Sequence, residues 1–141
     1  MSLYLDTSVL VAAITHEPST ARIQAWLAAR ASDELTISDW VTTEVSSALS
    51  IKLRRGDLDL AQRAAALAAF HRISADSLSA VAVLPSHFQV AAHYADRHDL
   101  TLRAADALHL AVCAAHGATL VTLDRRFAEA ALQLGVAVEA V

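Results

Sequence analysis

The chain has one cysteine, two prolines, three glycines and one lysine in 141 residues, and only 5% of it is aromatic. A lone Cys113 excludes an internal disulfide and fits a reducing compartment. So little Gly and Pro argues against long loops and against a low-complexity linker. With few aromatics but 55% hydrophobic residues, the core must be built from Ala, Leu and Val, and Ala and Leu favour helices. No apolar run approaches 18 residues and no charged start precedes an apolar signal core, so a soluble, cytoplasmic protein without a membrane partner is expected. An excess of positive charge is also missing. Eleven Lys and Arg against 15 Asp and Glu leave a formal charge of −4, which argues against a generic DNA-coating protein. No internal repeat is visible, and the length suits a single domain over residues 1–141.

What is present is a regular alternation of strand and helix signals. Leu3 to Leu5 reads as a central strand running into the turn Asp6-Thr7-Ser8, followed by a short helix from Val9 to Ile14. A second helix spans roughly Ser19 to Ala31. Glu34 to Ser38 alternates polar and apolar as a strand does, and Ser38 or Asp39 can cap the helix from Trp40 to about Arg55, which Gly56 ends. Asp57 is expected to cap the next helix, to about Ile73, and Leu78 to Val83 alternates as a third strand. Pro85 suits the first turn of a helix reaching about His98. Thr101 is expected to cap the next helix, which ends near Gly117. Ala118 to Val121 is a fourth strand, Asp124 to Leu134 a helix, and Val136 to Val138 a last strand. The absence of hairpin signals predicts a three-layer α/β fold, a parallel sheet flanked by helices.

Most acids have bland roles: Asp39, Asp57 and Asp33 as caps, Glu129 and Glu139 on solvated surface. Four do not fit so easily. Asp6 ends an apolar strand, where an unpaired carboxylate is costly. Glu44 lies three residues after Val41 and four before Ala48, on the edge of an apolar helical stripe, where a glutamate can also reach solvent. Asp106 sits in a segment, Ala104 to Ala115, that is apolar all round apart from itself and His109, five residues past the expected cap. Asp124 stands just beyond a strand end, as Asp6 does, and can also cap a helix. Ligands bind outside the carboxyl ends of parallel strands, so the four can converge on one cleft. Four neighbouring carboxylates do not all stay ionised without cations, and an all-oxygen set suits Mg²⁺ or Mn²⁺.

These stretches resemble the PIN-domain ribonucleases of the VapC toxin type. The resemblance is carried by Leu5-Asp6-Thr7-Ser8-Val9-Leu10, by Glu44, by Arg103-Ala104-Ala105-Asp106-Ala107-Leu108-His109-Leu110-Ala111, and by Leu120-Val121-Thr122-Leu123-Asp124-Arg125-Arg126-Phe127, in that order along the whole chain. It implies a PIN-like fold with a five-stranded parallel sheet and a catalytic set of Asp6, Glu44, Asp106 and Asp124. It further implies Mg²⁺- or Mn²⁺-dependent cleavage of RNA, a small cognate antitoxin and a homodimer. Thr7 or Ser8, with Thr122, match positions whose hydroxyls support the acids. Some relatives carry a further acid after the Asp124 position, where this chain has Arg125 and Arg126.

On this reading Asp6, Asp106 and Asp124 hold the metal and Glu44 contributes to that shell or stands behind it. Arg125 and Arg126 can track an RNA backbone, and Arg103 suits a phosphate or an antitoxin carboxylate. Lys52, Arg54 and Arg55 can do the same, or can simply compensate a helix C-terminus. His109 is expected to pack or to hydrogen-bond a carboxylate, while His87, His93 and His98 are expected on the surface. Trp26 and Trp40 read as packing residues, with Trp40 also suited to a dimer interface. One other enzyme class and one signalling fold fit less well. A haloacid-dehalogenase-type phosphatase wants a second acid two residues after Asp6, where Ser8 stands, and a receiver domain wants a late lysine, whereas Lys52 is the only one. A non-catalytic module that binds RNA or a protein is the rival from another class, and the retained four acids count against it.

Overall fold

The computed structural model describes residues 1–141. Its five strands are β1 (Leu3–Leu5), β2 (Leu35–Ser38), β3 (Ser79–Val81), β4 (Thr119–Val121) and β5 (Val138–Glu139). They form one sheet in the order β3-β2-β1-β4-β5, with every pairing parallel. Seven helices complete the chain: α1 (Thr7–Ile14), α2 (Thr20–Ala28), α3 (Asp39–Arg55), α4 (Leu60–Ser77), α5 (Pro85–Ala95), α6 (Ala104–Ala115) and α7 (Arg125–Gln133). The expected three-layer α/β architecture is the observed one. No helix is long and apolar enough to cross a membrane.

The sheet is covered on both faces because β1 is apolar on both. Leu3 and Leu5 pack into a core with residues of α1, α3 and α4, while Tyr4 between them points the opposite way, among residues of α6 and α7. This is the two-residue period of a strand expressed in a segment with no polar face. Helix α6 is buried from Ala107 through Cys113, as a helix apolar all round must be. Burial also pushes the Cys113 thiol up to about 12, so it is inert core.

The topology locates a crevice. From β1 the chain proceeds to β2 on one side, and from β4 it proceeds to β5 on the other. The connections leaving β1 and β4 therefore diverge, and the space beyond their carboxyl ends is a topological switch point. Asp6 follows β1 immediately, and Thr122 and Asp124 follow β4.

Several local expectations need correction. Helix α4 is capped by Asp59, not Asp57. Asp59 accepts from the Gln62 N–H at 2.7 Å while the Gln62 side chain accepts from the Asp59 N–H at 2.8 Å, and the helix runs on to Ser77. Thr101 caps nothing: it sits at φ +52° in the left-handed region, and Arg103 is the residue before α6. Helix α3 begins at Asp39, after Ser38, and neither side chain caps it, because the Ser38 hydroxyl is committed to Tyr4. Its end at Gly56, φ +81°, is as expected. Strand β5 lies two residues later than expected, and α2 stops at Ala28. His87 is buried, with Nδ1 accepting the Leu84 N–H at 3.0 Å, whereas His93 and His98 are exposed. Glu139 is not simply solvated, since it ion-pairs with Arg30 and accepts from Trp26 Nε1 at 3.1 Å. Trp26 thus packs, as expected, beneath the Arg30 guanidinium.

Candidate active site

The site grows from the two strand ends. The Asp6 N–H donates to the Val121 carbonyl at 3.0 Å, continuing the pairing of β1 with β4 by one residue. That bond fixes the Asp6 backbone beside Thr122, and its carboxylate, 5% exposed, is held from both segments. Ser8 Oγ donates to Oδ2 at 2.7 Å and Thr122 Oγ1 donates to the same oxygen at 2.8 Å. The hydroxyls are fixed in turn: Ser8 Oγ accepts from the Leu123 N–H and Thr122 Oγ1 from the Asp124 N–H, each at 3.1 Å. Both hydrogen-bond donors fall on Oδ2, and Oδ1 has only His109 Nε2 near it, at 4.0 Å.

Glu44 follows the same scheme from the other side. Helix α3 begins directly at the end of β2, and its second turn carries Glu44, half-buried, over the start of α1. Thr7 Oγ1 donates to Glu44 Oε1 at 2.9 Å, and His109 Nε2 contacts the same oxygen. Oε2 receives no protein donor. Burial alone would raise the Glu44 pKa, but the hydrogen bond and charge of His109 and the bond from Thr7 outweigh it and hold the group below the ordinary glutamate value. Of the hydroxyls expected beside the acids, Ser8 and Thr122 therefore serve Asp6, and Thr7 serves Glu44.

Asp106 and Asp124 wall a cleft of about 180 Å³ together with Arg103 and Arg126. Because α6 starts later than expected, Asp106 is its third residue, not five past a cap. Its side chain makes no hydrogen bond within the protein. Burial first, then the charges of Asp6 and Asp124, raise its pKa from the ordinary value to about 6. Asp124 is exposed and caps α7, its Oδ1 accepting from the Arg126 and Phe127 N–H groups at 2.9 and 3.2 Å. Once more one carboxylate oxygen is tied and the other free.

The closest convergence of ligand atoms is a different set from the expected Asp6, Asp106 and Asp124. One atom each from Asp6, Glu44 and His109 lie within 4.8 Å of one another, while Asp106 and Asp124 lie outside that group but within electrostatic reach of it. His109 is wholly buried, one turn after Asp106 on α6, and meets a carboxylate as expected.

The basic residues divide. Arg103 and Arg126 line the cleft with Asp106, while Arg125 turns to the other side of Asp124, into a second cleft of about 400 Å³ shared with Arg22. Adjacent residues on a helix point about 100° apart, so Arg125 and Arg126 are two contacts and not one patch. Arg22, on α2, carried no sequence signal, since it lies a hundred residues from Arg125 in the chain. Lys52, Arg54 and Arg55 stand at the far end of α3, roughly 25 Å from its start for 17 residues. Lys52 pairs there with Glu17 at 3.0 Å, so this cluster serves the opposite edge of the molecule. Trp40 lies half-buried at the start of α3 and lines an apolar groove with Phe88 and Leu108.

Comparison with known proteins bears on this arrangement. The PIN-domain family model matches residues 3–132. No curated protein sequence matches the chain. Among solved structures it is similar to the Mycobacterium tuberculosis toxin VapC20, described as cleaving the sarcin-ricin loop, with a TM-score of 0.72 and 21% identity over 92% of this chain and 95% of that one. It is also similar to VapBC2 of Rickettsia felis bound to a DNA fragment from its promoter, with a TM-score of 0.67 and 17% identity over 99% and 98% of the two chains. FitAcB of Neisseria gonorrhoeae gives 0.66 and 20% identity over 96% and 95%. At these identities the likeness is one of fold.

Proposed function

The chain belongs to the PIN-domain family, and from that premise we propose that it is a metal-dependent endoribonuclease, the toxin of a type II toxin–antitoxin pair. The observation that carries the reading is the shared pattern of the carboxylates. Asp6, Glu44 and Asp124 each have one oxygen saturated by two protein donors and the other left free, and Asp106 has no protein donor at all. Burial first, and then the charges of Asp6 and Asp124, push Asp106 up to about 6, a penalty on its charge that a nearby cation would relieve, and free carboxylate oxygens are the donors that Mg²⁺ or Mn²⁺ takes. The carboxylates present fit a hard divalent ion, which Asp6 would hold with Glu44 beside it, and which Asp106 and Asp124 would reach from the adjoining cleft. Such an ion supplies Lewis acidity toward a phosphoryl oxygen and a water of lowered pKa.

The chain's own groups do the rest. Arg103 and Arg126 bind backbone phosphate on one side of Asp124, and Arg125 on the other, which sets the strand across the acidic centre. Ser8 and Thr122 hold Asp6 Oδ2, which leaves Oδ1 facing the Glu44–His109 pair. Glu44 Oε2, free of protein donors, would take a proton from the water that attacks phosphorus, and the leaving oxygen would take one from solvent as its P–O bond breaks. The net charge of −4 is no obstacle, because bound cations neutralise the acids that produce it. Likeness to VapBC and FitAcB supports a small antitoxin partner, and we take the protein to form a homodimer.

A digest of RNA with Mg²⁺, with chelator, and with Asp6→Asn tests the reading. Cleavage should need the metal and disappear in the variant. Undiminished Mg²⁺-dependent cleavage by Asp6→Asn would refute it.

A further inference from the structure

We propose that Tyr4 and His109 are positioning residues that fix Glu44 through a buried hydrogen-bonded chain, Ser38–Tyr4–His109–Glu44, and the inference rests on the nuclease reading above. Tyr4, Ser38 and His109 are each 0% exposed, so three polar side chains lie in a core otherwise made of Ala, Leu, Val, Phe and the thiol of Cys113. Tyr4 Oη is 2.8 Å from Ser38 Oγ and 2.7 Å from His109 Nδ1, and His109 Nε2 meets Glu44 Oε1. An apolar trio of the same shape would pack as well, because the energy of buried hydrogen bonds scarcely exceeds the cost of desolvating their partners. Stability therefore gives no reason for the chain. Its outlet does, since His109 Nε2 opens onto the acidic centre, bonded to Glu44 and 3.5 Å from Thr7 Oγ1 and 4.0 Å from Asp6 Oδ1.

The chemistry of the links supports this. Ionised Glu44 only accepts, so Nε2 must carry the hydrogen that faces it. The Tyr4 hydroxyl secures that in either state of the ring. It donates to Nδ1 when the imidazole is neutral, and accepts from Nδ1–H when it is charged. Ser38 satisfies the hydroxyl's other valence. A glutamate side chain has three free torsions and samples several rotamers unless held. With Thr7 and His109 both on Oε1, Oε2 is aimed at one place. Tyr4 lies on β1 two residues before Asp6, so the strand that presents one carboxylate also anchors the support of the other. Partners that orient the groups at a metal site change affinity or turnover by about 10- to 100-fold when removed.

The experiment compares wild type with Tyr4→Phe, Tyr4→Phe/Ser38→Ala, His109→Gln and His109→Leu. Its readouts are Mn²⁺-dependent cleavage of a short RNA, thermal melting, and the imidazole ¹⁵N–¹H spectrum of His109. Tyr4→Phe should lower kcat about 10-fold or more with KM for RNA unchanged. The double variant removes the hydroxyl that Tyr4→Phe leaves unpaired, so it should regain melting temperature without regaining kcat. His109→Gln, whose amide can still donate to Glu44, should keep more activity than His109→Leu. The spectrum should show hydrogen on Nε2 in wild type and a displaced Nδ1 signal in Tyr4→Phe. The inference is overturned if kcat recovers together with melting temperature in the double variant, or if Tyr4→Phe turns over RNA like wild type. If wild type itself cleaves no RNA, the nuclease reading fails, and the spectrum alone still decides whether the chain orders His109.

Discussion

Asp106 offers a perturbation in which stability and function should move in opposite directions. In the folded protein its pKa is raised from 3.8 to about 6, first by burial and then by the charges of Asp6 and Asp124. Between those two pH values the folded state holds a proton that the unfolded state has lost. The stability contributed by this group is thus fully present below about pH 4, declines as pH rises, and is gone above about pH 6. Two units at 1.36 kcal/mol each would set a ceiling of about 3 kcal/mol. Asp106 is only partly buried and sits where the α6 dipole favours negative charge, so screening reduces this to about 1–1.5 kcal/mol. Asp106→Asn keeps the shape and removes the charge. In chelator at pH 7.5 it should melt about 2–6 °C above wild type, at about 2–4 °C per kcal/mol for a domain near this size. Near pH 4 the gain should vanish. Added Mn²⁺ should reverse the order, because wild type is stabilised by ion binding, by about 2.7 kcal/mol at a hundred times Kd, and the variant loses part of that affinity. Differential scanning calorimetry at the two pH values, with chelator and with Mn²⁺, measures all four states. A variant less stable than wild type in chelator at pH 7.5, or equally stabilised at both pH values, would refute the argument.

Asp124 combines a cap and a site carboxylate, and Asp124→Ser should separate them. Serine keeps most of a cap worth about 1 kcal/mol, so melting should hardly change while metal-dependent cleavage is lost. Asp124→Ala should lose both. Thr122→Val removes one of the two donors on Asp6 Oδ2 and an acceptor for the Asp124 N–H. It should cost about 1–3 kcal/mol in urea denaturation and weaken Mn²⁺ binding by isothermal titration. Arg126→Ala and Arg125→Ala should each raise KM for RNA with kcat nearly unchanged, and each should flatten the salt dependence of binding by roughly one counterion.

The sheet was legible, and so were Asp6 and Asp106, because each has a local signature, whereas Glu44 and Asp124 also suited a solvated helix face and a cap. An apolar run that stops at an acid is a strand end, and a helix apolar on all sides except at Asp106 and His109 singles out those two. Other features lacked such signatures. Asp57 and Asp59 both precede α4, and only the reciprocal bond with Gln62 distinguishes them. Thr101 looks like a cap until the backbone takes it into the left-handed region three residues before α6 begins. Tyr4 reads as one more apolar residue of β1, because its partner His109 is 105 positions away and the register of β1 against α6 is written nowhere locally. The divergence of Arg125 and Arg126 likewise depends on where α7 starts, a matter of one residue, and sequence patterns place helix ends no better than that.

The placement of β4 has a consequence for the timing of synthesis. Strand β1 is made first, yet its second neighbour on the sheet is residues Thr119–Val121, and Asp6 receives one of its two donors from Thr122. Pairing across more than a hundred residues is the slow, late kind of contact. A growing chain can bring β1, β2 and β3 together while β4 is still to be translated, and in that state Asp6 has neither Thr122 nor Asp124 beside it. The acidic centre is therefore completed only after Thr122 and Asp124 have left the ribosome. A truncated product ending before β4 carries Asp6, Glu44 and Asp106 without the segment that orders them.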